Sequence, residues 1–290
     1  MLKDSKTEYT IGVDVGGTKM CAVLLAGDRV VADYTLQTPK DDLEKFRTML
    51  AALIAPLQER IVKDKAKLKG LGIGLPGVID RKLGKVLVAP NLVKLNNANI
   101  VELGQRVVGA DVPVVIDNDA ACFTRAEAQL GAGQKYSSVY GVVVGTGIGG
   151  SWYMNGAVYM GGFGGTGEPG MMAIDFKQNI TLEEAYHKLT QNNPAILAEE
   201  AYQGDALAEA VFGEFGQMLG AALANIVNLI EPQVIVVGGG AVQSADLFLP
   251  AAKKEIKSKI LSPMAAKEVK LVKSKLGKLA GAIGAALLVK

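Results

Sequence analysis

Residues 9–25 read YTIGVDVGGTKMCAVLL, and residues 138–154 read SVYGVVVGTGIGGSWYM. Each stretch consists of an apolar run, a turn rich in glycine and a second run of strand-forming residues. A further turn signal follows each stretch, Gly27-Asp28 in the first and Asn155-Gly156 in the second. Each half of the chain is therefore predicted to begin with a three-stranded meander, and the repeat indicates two similar lobes.

The segments after each meander alternate between helical and strand patterns. The first half has a predicted helix at 41–65, strands at 71–75 and 112–116 and a helix at 120–130, and the second half has helices at 181–202 and 205–230 and a strand at 233–237. This alternation predicts an α/β fold. We expect an N-terminal lobe at 1–119, onto which a C-terminal helix at 276–290 packs back, and a C-terminal lobe at 120–275. Two lobes that face each other would place both glycine turns on one cleft.

The composition excludes several classes of protein. The chain of 290 residues has a net charge of +2, which gives no electrostatic footprint for nucleic acid or for an anionic membrane. Cys21, Cys122 and His187 are too few for a disulfide framework, a structural zinc site or histidine-dependent hydrolysis. The longest apolar runs fall short of the roughly 18–20 residues that span a bilayer. We expect a cytoplasmic protein whose partner is a small molecule.

Glycine is the unusual residue, at 35 of 290 positions. In the first turn, Gly16 and Gly17 follow the acid that ends a strand, so backbone N–H groups can approach a phosphate closely. Thr18 would be an extra donor, and Asp14 would lie near a phosphate-bound Mg²⁺. An ordinary hairpin turn has the same composition and remains the alternative.

Two stretches, Gly72–Gly77 and Gly145–Gly150, match the pattern GxGxxG. A dinucleotide-binding fingerprint must open a helix, whereas both stretches lead into segments predicted to be extended. A nucleotide-dependent dehydrogenase is thereby disfavoured. We interpret Gly145, Thr146 and Gly147 as a second phosphate-binding turn.

Asp117-Asn118-Asp119 lies where a buried strand ends and a helix begins. Asp119 is placed to accept a proton from a substrate hydroxyl, while Asn118 fixes a neighbouring hydroxyl. Asp117 is the second candidate for the base. The alternative is that these residues only cap the helix, since Asn and Asp are favoured at that position.

Two further glycine stretches complete the set of candidate sites. Gly161–Gly170 holds six glycines, so it is predicted to be a loop, and Glu168 is its only ionisable residue and a candidate acceptor for a sugar hydroxyl. A flexible surface loop is the alternative. Gly238, Gly239 and Gly240 follow a strand and would let a base or ribose lie against the backbone, unless they form only a tight turn.

Taken together, these motifs resemble the ROK family of sugar kinases, in the actin-like/hexokinase superfamily, over nearly the whole chain. The resemblance implies two actin-like, ribonuclease H-like lobes with a cleft between them, the cofactors ATP and Mg²⁺, a sugar substrate and a homodimer. It implies that Asp119 is the catalytic base. It implies that the sugar is bound by Gly74, Pro76, Asn91, Asn118 and Glu168. It implies that the nucleotide is bound by Asp14, Gly16, Gly17, Thr18, Lys19, Gly145, Thr146, Gly147, Gly238, Gly239 and Gly240, with Asp14 contacting Mg²⁺ indirectly.

The chain departs from the family at two places. Met171 stands where the family usually has His after Gly-Glu-x-Gly, and the cysteine-rich zinc motif that usually follows is absent. Family repressors carry a helix-turn-helix before the first phosphate loop, and only a short segment precedes the first strand here, which disfavours DNA binding. We therefore expect a glucokinase-like hexose kinase. The alternatives are an N-acetylhexosamine kinase and a non-catalytic protein that senses sugar or nucleotide.

Overall fold

The computed structural model describes residues 7–289, and the chain forms two compact units. The strands are β1 (Glu8–Val15), β2 (Lys19–Ala26), β3 (Arg29–Gln37), β4 (Lys67–Leu75), β5 (Val78–Asp80), β6 (Lys85–Val88), β7 (Val114–Asn118), β8 (Ser138–Val144), β9 (Ile148–Met154), β10 (Ala157–Val158), β11 (Ala173–Asp175), β12 (Ile180–Thr181), β13 (Val234–Gly238) and β14 (Lys270–Lys273). The helices are α1 (Leu43–Lys63), α2 (Ile100–Val108), α3 (Asp119–Gln129), α4 (Leu182–Leu189), α5 (Pro194–Tyr202), α6 (Ala206–Ile230), α7 (Ala245–Lys259), α8 (Pro263–Glu268) and α9 (Ala280–Ala286).

The main sheets of the two units follow the same plan. In the first unit the strand order is β3-β2-β1-β4-β7, and in the second it is β10-β9-β8-β13-β14. In the first sheet β1, β2 and β3 form an antiparallel meander, and β4 and then β7 extend the sheet from β1 as parallel strands. In the second sheet β8, β9 and β10 form the meander, and β13 and then β14 extend the sheet from β8 as parallel strands. The α/β fold class and the internal repeat predicted from the sequence are therefore confirmed.

The first unit is discontinuous in sequence. It comprises residues 7–131, Met160–Thr166 and residues 278–289, and the second unit comprises Ala132–Tyr159 and Gly167–Gly277. The chain leaves the first unit after α3, whereas the sequence-based boundary lies at the beginning of α3. The difference has a packing cause, because α3 packs against α9 and β4 of the first unit.

Glycines let α9 approach the first sheet unusually closely. A Cβ atom on Gly12 of β1 would lie 2.0 Å from the carbonyl oxygen of Ala282, and one on Gly72 of β4 would lie 1.8 Å from that of Ala285. On the other side of α9, a Cβ atom on Gly284 would lie 1.7 Å from a carbonyl oxygen of α3. The backbone of α9 is thus wedged between the sheet and α3 at positions where only glycine fits.

The second unit differs from the sequence-based expectation in its helices. The helix predicted over 181–202 is two helices, α4 and α5, because Gln191 and Asn192 adopt positive φ values and Pro194 begins a new helix. The segment 245–268 holds α7 and α8, which the sequence analysis did not assign. The helix α6 is long and apolar enough to cross a membrane by length and composition alone, but 56% of its most apolar window is buried in the core.

The packing of α6 on α7 provides a matched test. A Cβ atom on Gly216 would lie 2.3 Å from the carbonyl oxygen of Phe248 in α7, whereas one on Gly213, one turn earlier, would meet nothing within 4 Å. We expect Gly216→Ala to lower the free energy of unfolding by about 1–3 kcal/mol through overpacking. We expect Gly213→Ala to raise it by up to about 1 kcal/mol, since alanine favours the helix. Urea unfolding of the two variants checks this, and equal effects would contradict the described packing.

Candidate active site

The junction of β7 and α3 carries the candidate base. Asn118 caps α3, since its Oδ1 accepts a hydrogen bond from the N–H of Ala121 at 3.0 Å, while its Nδ2 donates to the carbonyl oxygen of Gly77 at 3.1 Å. Asp119 is the first residue of the helix, half-buried, and its Oδ1 accepts from the N–H of Ala120 at 2.8 Å. Asn118 is therefore the N-cap of α3. Asp119 does not have the capping function that the alternative explanation of this motif assigns to it.

Asp14, at the end of β1, lies close enough to Asp119 for the two charges to interact. Burial, and then the charge of Asp119, raise the pKa of Asp14 from 3.8 to about 7. Burial also raises the pKa of Asp119, although hydrogen bonds from backbone N–H groups oppose the shift. The helix α9 contributes to this burial, since a Cβ atom on Gly281 would lie 2.5 Å from Cγ of Asp14. Two partly desolvated carboxyl groups thus share one region of the first unit.

Asp117, the second candidate for the base, has a different environment. Its side chain is 1% exposed, and its Oδ1 accepts a hydrogen bond from Nε of Arg81 at 2.7 Å. Its Oδ2 accepts from Nη2 of Arg125, also at 2.7 Å. A buried carboxylate with a guanidinium group on each of its oxygen atoms is closed off from a substrate. The geometry thus disfavours Asp117 as the base.

The first glycine turn joins β1 to β2. The N–H of Gly16 donates to the carbonyl oxygen of Lys19 at 3.0 Å, and the hydroxyl of Thr38 donates to the carbonyl oxygen of Gly16 at 2.7 Å. Thr18 and Lys19 are exposed, whereas Gly17 is half-buried. The turn is therefore fixed by its carbonyl groups, and the side chains of its last two residues face solvent.

The candidate sugar-binding residues of the first unit lie around this turn and the base. A Cβ atom on Gly17 would lie 3.5 Å from Cβ of Asn91, which places the exposed Asn91 beside the turn. A Cβ atom on Gly74 would lie 3.7 Å from Cα of Asp119. Pro76 follows in the connection from β4 to β5 and is half-buried. The structure thus brings Asn91 close to the turn and Gly74 close to Asp119.

The second unit brings its two glycine stretches together. The turn Gly145–Gly147 joins β8 to β9, with the N–H of Gly145 donating to the carbonyl oxygen of Gly147 at 2.9 Å. A Cβ atom on Gly145 would lie 3.9 Å from the N atom of Gly240. Gly239 has a φ of +86° and would place a Cβ atom 2.2 Å from the carbonyl oxygen of Val144, so only glycine fits there. Thr146 and Gly240 are exposed, while Gly238 is buried as the last residue of β13.

Neither GxGxxG stretch opens a helix. Gly145–Gly150 continues into β9, and Gly72–Gly77 connects β4 to β5. Both connections join strands, which is the context predicted from the sequence. The structural requirement of a dinucleotide-binding fingerprint is therefore not met at either stretch.

Glu168 is exposed on a loop that packs on β9. The preceding Gly167 has a φ of +95°, and its carbonyl oxygen accepts a hydrogen bond from the hydroxyl of Tyr140 at 2.7 Å. A Cβ atom on Gly150 would lie 2.8 Å from that same oxygen. Burial, and then the charge of Glu168, raise the pKa of Tyr140. The backbone at Gly167 is thus held in place by contacts with Tyr140 of β8 and Gly150 of β9.

The segment after Glu168 forms a short 3₁₀ helix, Pro169–Met171, and then the hairpin β11–β12. Met171 is 69% exposed. The sequence analysis missed Glu183 of α4, whose Oε2 accepts a hydrogen bond from the N–H of Ile148 and so ties α4 to the second glycine turn. No local sequence pattern indicates this long-range contact.

A bound divalent cation fits the first unit only in part. No group of three or more His, Cys, Asp or Glu side chains suited to a metal occurs within residues 7–289. The neighbouring carboxyl groups of Asp14 and Asp119 offer the hard oxygen atoms that Mg²⁺ prefers, and burial raises the pKa of both groups. Two carboxyl groups are too few to hold Mg²⁺ by themselves, but they match the number found at sites where phosphate oxygens and water supply the other ligands.

A sequence model of the ROK family matches residues 10–290. The chain belongs to the ROK family. Among the relatives of this ROK protein is an N-acetyl-D-glucosamine kinase of Mannheimia succiniciproducens, 29% identical over 96% of this chain and 98% of its own length. Another is a xylose repressor of Caldicellulosiruptor bescii, 25% identical over 85% of this chain and 69% of its own length. A ROK family glucokinase of Streptomyces griseus, solved with glucose and AMPPNP, is 27% identical, with a TM-score of 0.81 over 97% of this chain and 99% of its own.

The raised pKa of Asp14 predicts a dependence of stability on pH. The folded chain keeps a proton on Asp14 up to about pH 7, while the unfolded chain loses it near 3.8, so the free energy of unfolding falls as the pH rises through this window. Asparagine carries no charge at any pH. We therefore expect Asp14→Asn to be about as stable as the wild type near pH 4 and more stable near about pH 8.5. Urea unfolding without magnesium and nucleotide measures this, and a stability difference that is the same at both pH values would refute it.

Proposed function

We propose that this ROK protein is an ATP-dependent kinase that phosphorylates a hydroxyl group of a hexose. The observation that carries the proposal is Asp119, a half-buried carboxylate with a raised pKa at the beginning of α3, next to Asn118. The relatives at 27–29% identity include a glucokinase that binds glucose and AMPPNP and an N-acetyl-D-glucosamine kinase. They support a sugar kinase, while a glucose-like substrate is our inference.

Asp119 is the proposed general base. A base for this reaction must accept the hydroxyl proton as the oxygen attacks, and a carboxylate whose pKa is raised by burial accepts a proton more readily than an ordinary one. The cap made by Asn118 fixes the first turn of α3 and therefore the direction of the Asp119 side chain. Asp117 is ion-paired and contributes to the position of the base instead of to the proton transfer.

The sugar is proposed to contact Asn91, Asn118 and Glu168, with Gly74 and Pro76 forming the surface beside the base. Amide and carboxylate groups pair with ring hydroxyls, and a sugar with the wrong epimer would leave them unpaired at a cost of about 1–3 kcal/mol each. The Nδ2 atom of Asn118 already donates to Gly77 and has one hydrogen left for a ligand. Met171 cannot supply the hydrogen bond of a histidine, so the selected sugar depends on these remaining residues.

The nucleotide is proposed to contact the three glycine stretches. Backbone N–H groups of the turns Gly16–Lys19 and Gly145–Gly147 would bind phosphate oxygens, and Gly238–Gly240 would lie against the adenosine. When bound, Mg²⁺ would neutralise charge on the phosphates and hold them for transfer. Asp14 would face the ion through water and would give up its proton as the ion approaches, since a cation favours the charged carboxylate.

Two other functions remain compatible with the family. An N-acetylhexosamine kinase would use the same base on a different sugar, as the Mannheimia relative suggests. A protein that senses a sugar without phosphorylating it is favoured by the xylose repressor among the relatives. The kinase proposal requires turnover, whereas the sensing proposal requires binding alone.

A panel of sugars tests the proposal. ADP release is measured with ATP and Mg²⁺ for glucose, mannose, galactose, N-acetylglucosamine and N-acetylgalactosamine, for the wild type and for Asp119→Asn. We expect at least one sugar to support turnover, and we expect the variant to lose about 10²–10⁴-fold in kcat because the base is removed. Calorimetry should show that the variant still binds the sugar.

Asp111→Asn is the control, since Asp111 is an exposed acid on the connection that precedes β7 and should leave kcat unchanged. If no sugar supports turnover while calorimetry shows sugar binding, the sensing function replaces the kinase. If Asp119→Asn retains the turnover of the wild type, the assignment of the base fails even though the kinase stands.

A further inference from the structure

A buried ion-pair cluster is centred on Asp117, two residues before the candidate base. It consists of Asp117, Arg81 and Arg125, and the Asp117 side chain is 1% exposed. The Oδ1 atom of Asp117 also accepts a hydrogen bond from the N–H of Asn118 at 2.8 Å. The carboxylate is thus joined to the residue that caps α3, one position before Asp119. A buried charge with this many partners fixes the backbone around it, because leaving any partner unpaired is costly.

The two arginines are not equivalent. Arg125 belongs to α3 itself, and besides Asp117 its guanidinium lies 3.9 Å from the Sγ of Cys122 in the same helix. Arg81 lies after β5, and its Nη1 donates to the carbonyl oxygen of Gly164 at 3.2 Å while its Nε donates to Asp117. Arg81 therefore joins the strand before the base to a segment that is distant in sequence.

That segment is Met160–Thr166, the part of the glycine-rich loop that belongs to the first unit. Gly164 has a φ of +81°, and a Cβ atom on it would lie 2.8 Å from Nη1 of Arg81. Four of the seven residues are glycine, and Phe163 is fully exposed, so the segment has little packing of its own. A chain with so many glycines has a high entropy when it is free, and a hydrogen bond from a fixed guanidinium is an effective restraint on it.

We propose that Arg81 is a positioning residue that holds the segment Met160–Thr166 against the Asp117–Asn118 end of β7 and thereby orders the loop and the base together. The expected effect of Arg81 on catalysis rests on the proposed kinase function, whereas its expected effect on the order of the segment Met160–Thr166 does not. The planar fork of arginine can donate to Asp117 and to Gly164 at once, whereas the single ammonium group of lysine cannot reproduce both directions.

The experiment compares Arg81→Lys with Arg125→Lys. Both variants keep the positive charge beside Asp117, but only the first removes the donor to Gly164. Hydrogen exchange followed by mass spectrometry is measured on peptides that cover Met160–Thr166, together with kcat and KM for the sugar found in the panel. Thermal melts establish that both variants are folded.

We expect Arg81→Lys to raise the exchange of the segment several-fold and to lower kcat/KM for the sugar by about 10- to 100-fold, as a misplaced positioning group does. We expect Arg125→Lys to leave the exchange of the segment unchanged and kcat within about twofold of the wild type.

Equal exchange of the segment in both lysine variants would overturn the proposal, as would an unchanged kcat/KM in Arg81→Lys. If the wild type phosphorylates no sugar, the proposed function has failed, and the exchange comparison alone then decides whether Arg81 holds the segment. If the exchange rises only in Arg81→Lys and kcat/KM falls with it, both parts of the proposal stand.

Discussion

The packing of α9 between the first sheet and α3 is the constraint on which the candidate site of the first unit depends. Gly12 and Gly72 remove the side chains that would keep α9 away from the sheet, and Gly284 does the same towards α3. The same helix brings Gly281 against the carboxyl group of Asp14. This packing keeps the end of β1 close to the beginning of α3, so that Asp14 is buried near Asp119.

Three aspartates, near the end of β1, in β7 and at the beginning of α3, have three different environments. Asp117 forms ion pairs with two arginines. Burial and then the charge of Asp119 raise the pKa of Asp14 to about 7. Burial also raises the pKa of Asp119, although hydrogen bonds from backbone N–H groups oppose the shift. Environments of this kind separate carboxylates into structural and chemical roles. We therefore propose that Asp117 positions the end of β7, that Asp14 interacts with a bound cation, and that Asp119 is the base.

Much of this arrangement was predictable, and the reasons for the failures are physical. The meanders follow from apolar runs and glycine turns, which are local signals, and the repeat of the two halves made the two sheets predictable. The break between α4 and α5 was missed although Pro194 and the polar residues before it are a local breaker signal, and the positive φ values of Gln191 and Asn192 appear only in the structure. The helix α7, which the sequence analysis did not assign, has exposed lysines on one side and buries Phe248 and Ile256 on the other.

At the site, residue types were predictable but their partners were not. The sequence indicated Asn118 and Asp119 together, but only the structure separates the cap from the half-buried acid. The pairing of Asp117 with Arg81 joins residues 36 positions apart, and no local pattern reports a contact of that kind. The hydrogen bond between Glu183 and Ile148 likewise joins residues that are 35 positions apart.

The central claim, transfer of a phosphoryl group to a sugar hydroxyl, is tested most directly by phosphorus-31 NMR of the wild type with ATP, Mg²⁺ and the sugars of the panel. The account predicts that a sugar phosphate resonance grows in step with ADP as the γ-phosphate of ATP disappears. Release of ADP with inorganic phosphate alone, or an ATP spectrum that does not change with any sugar, would contradict it.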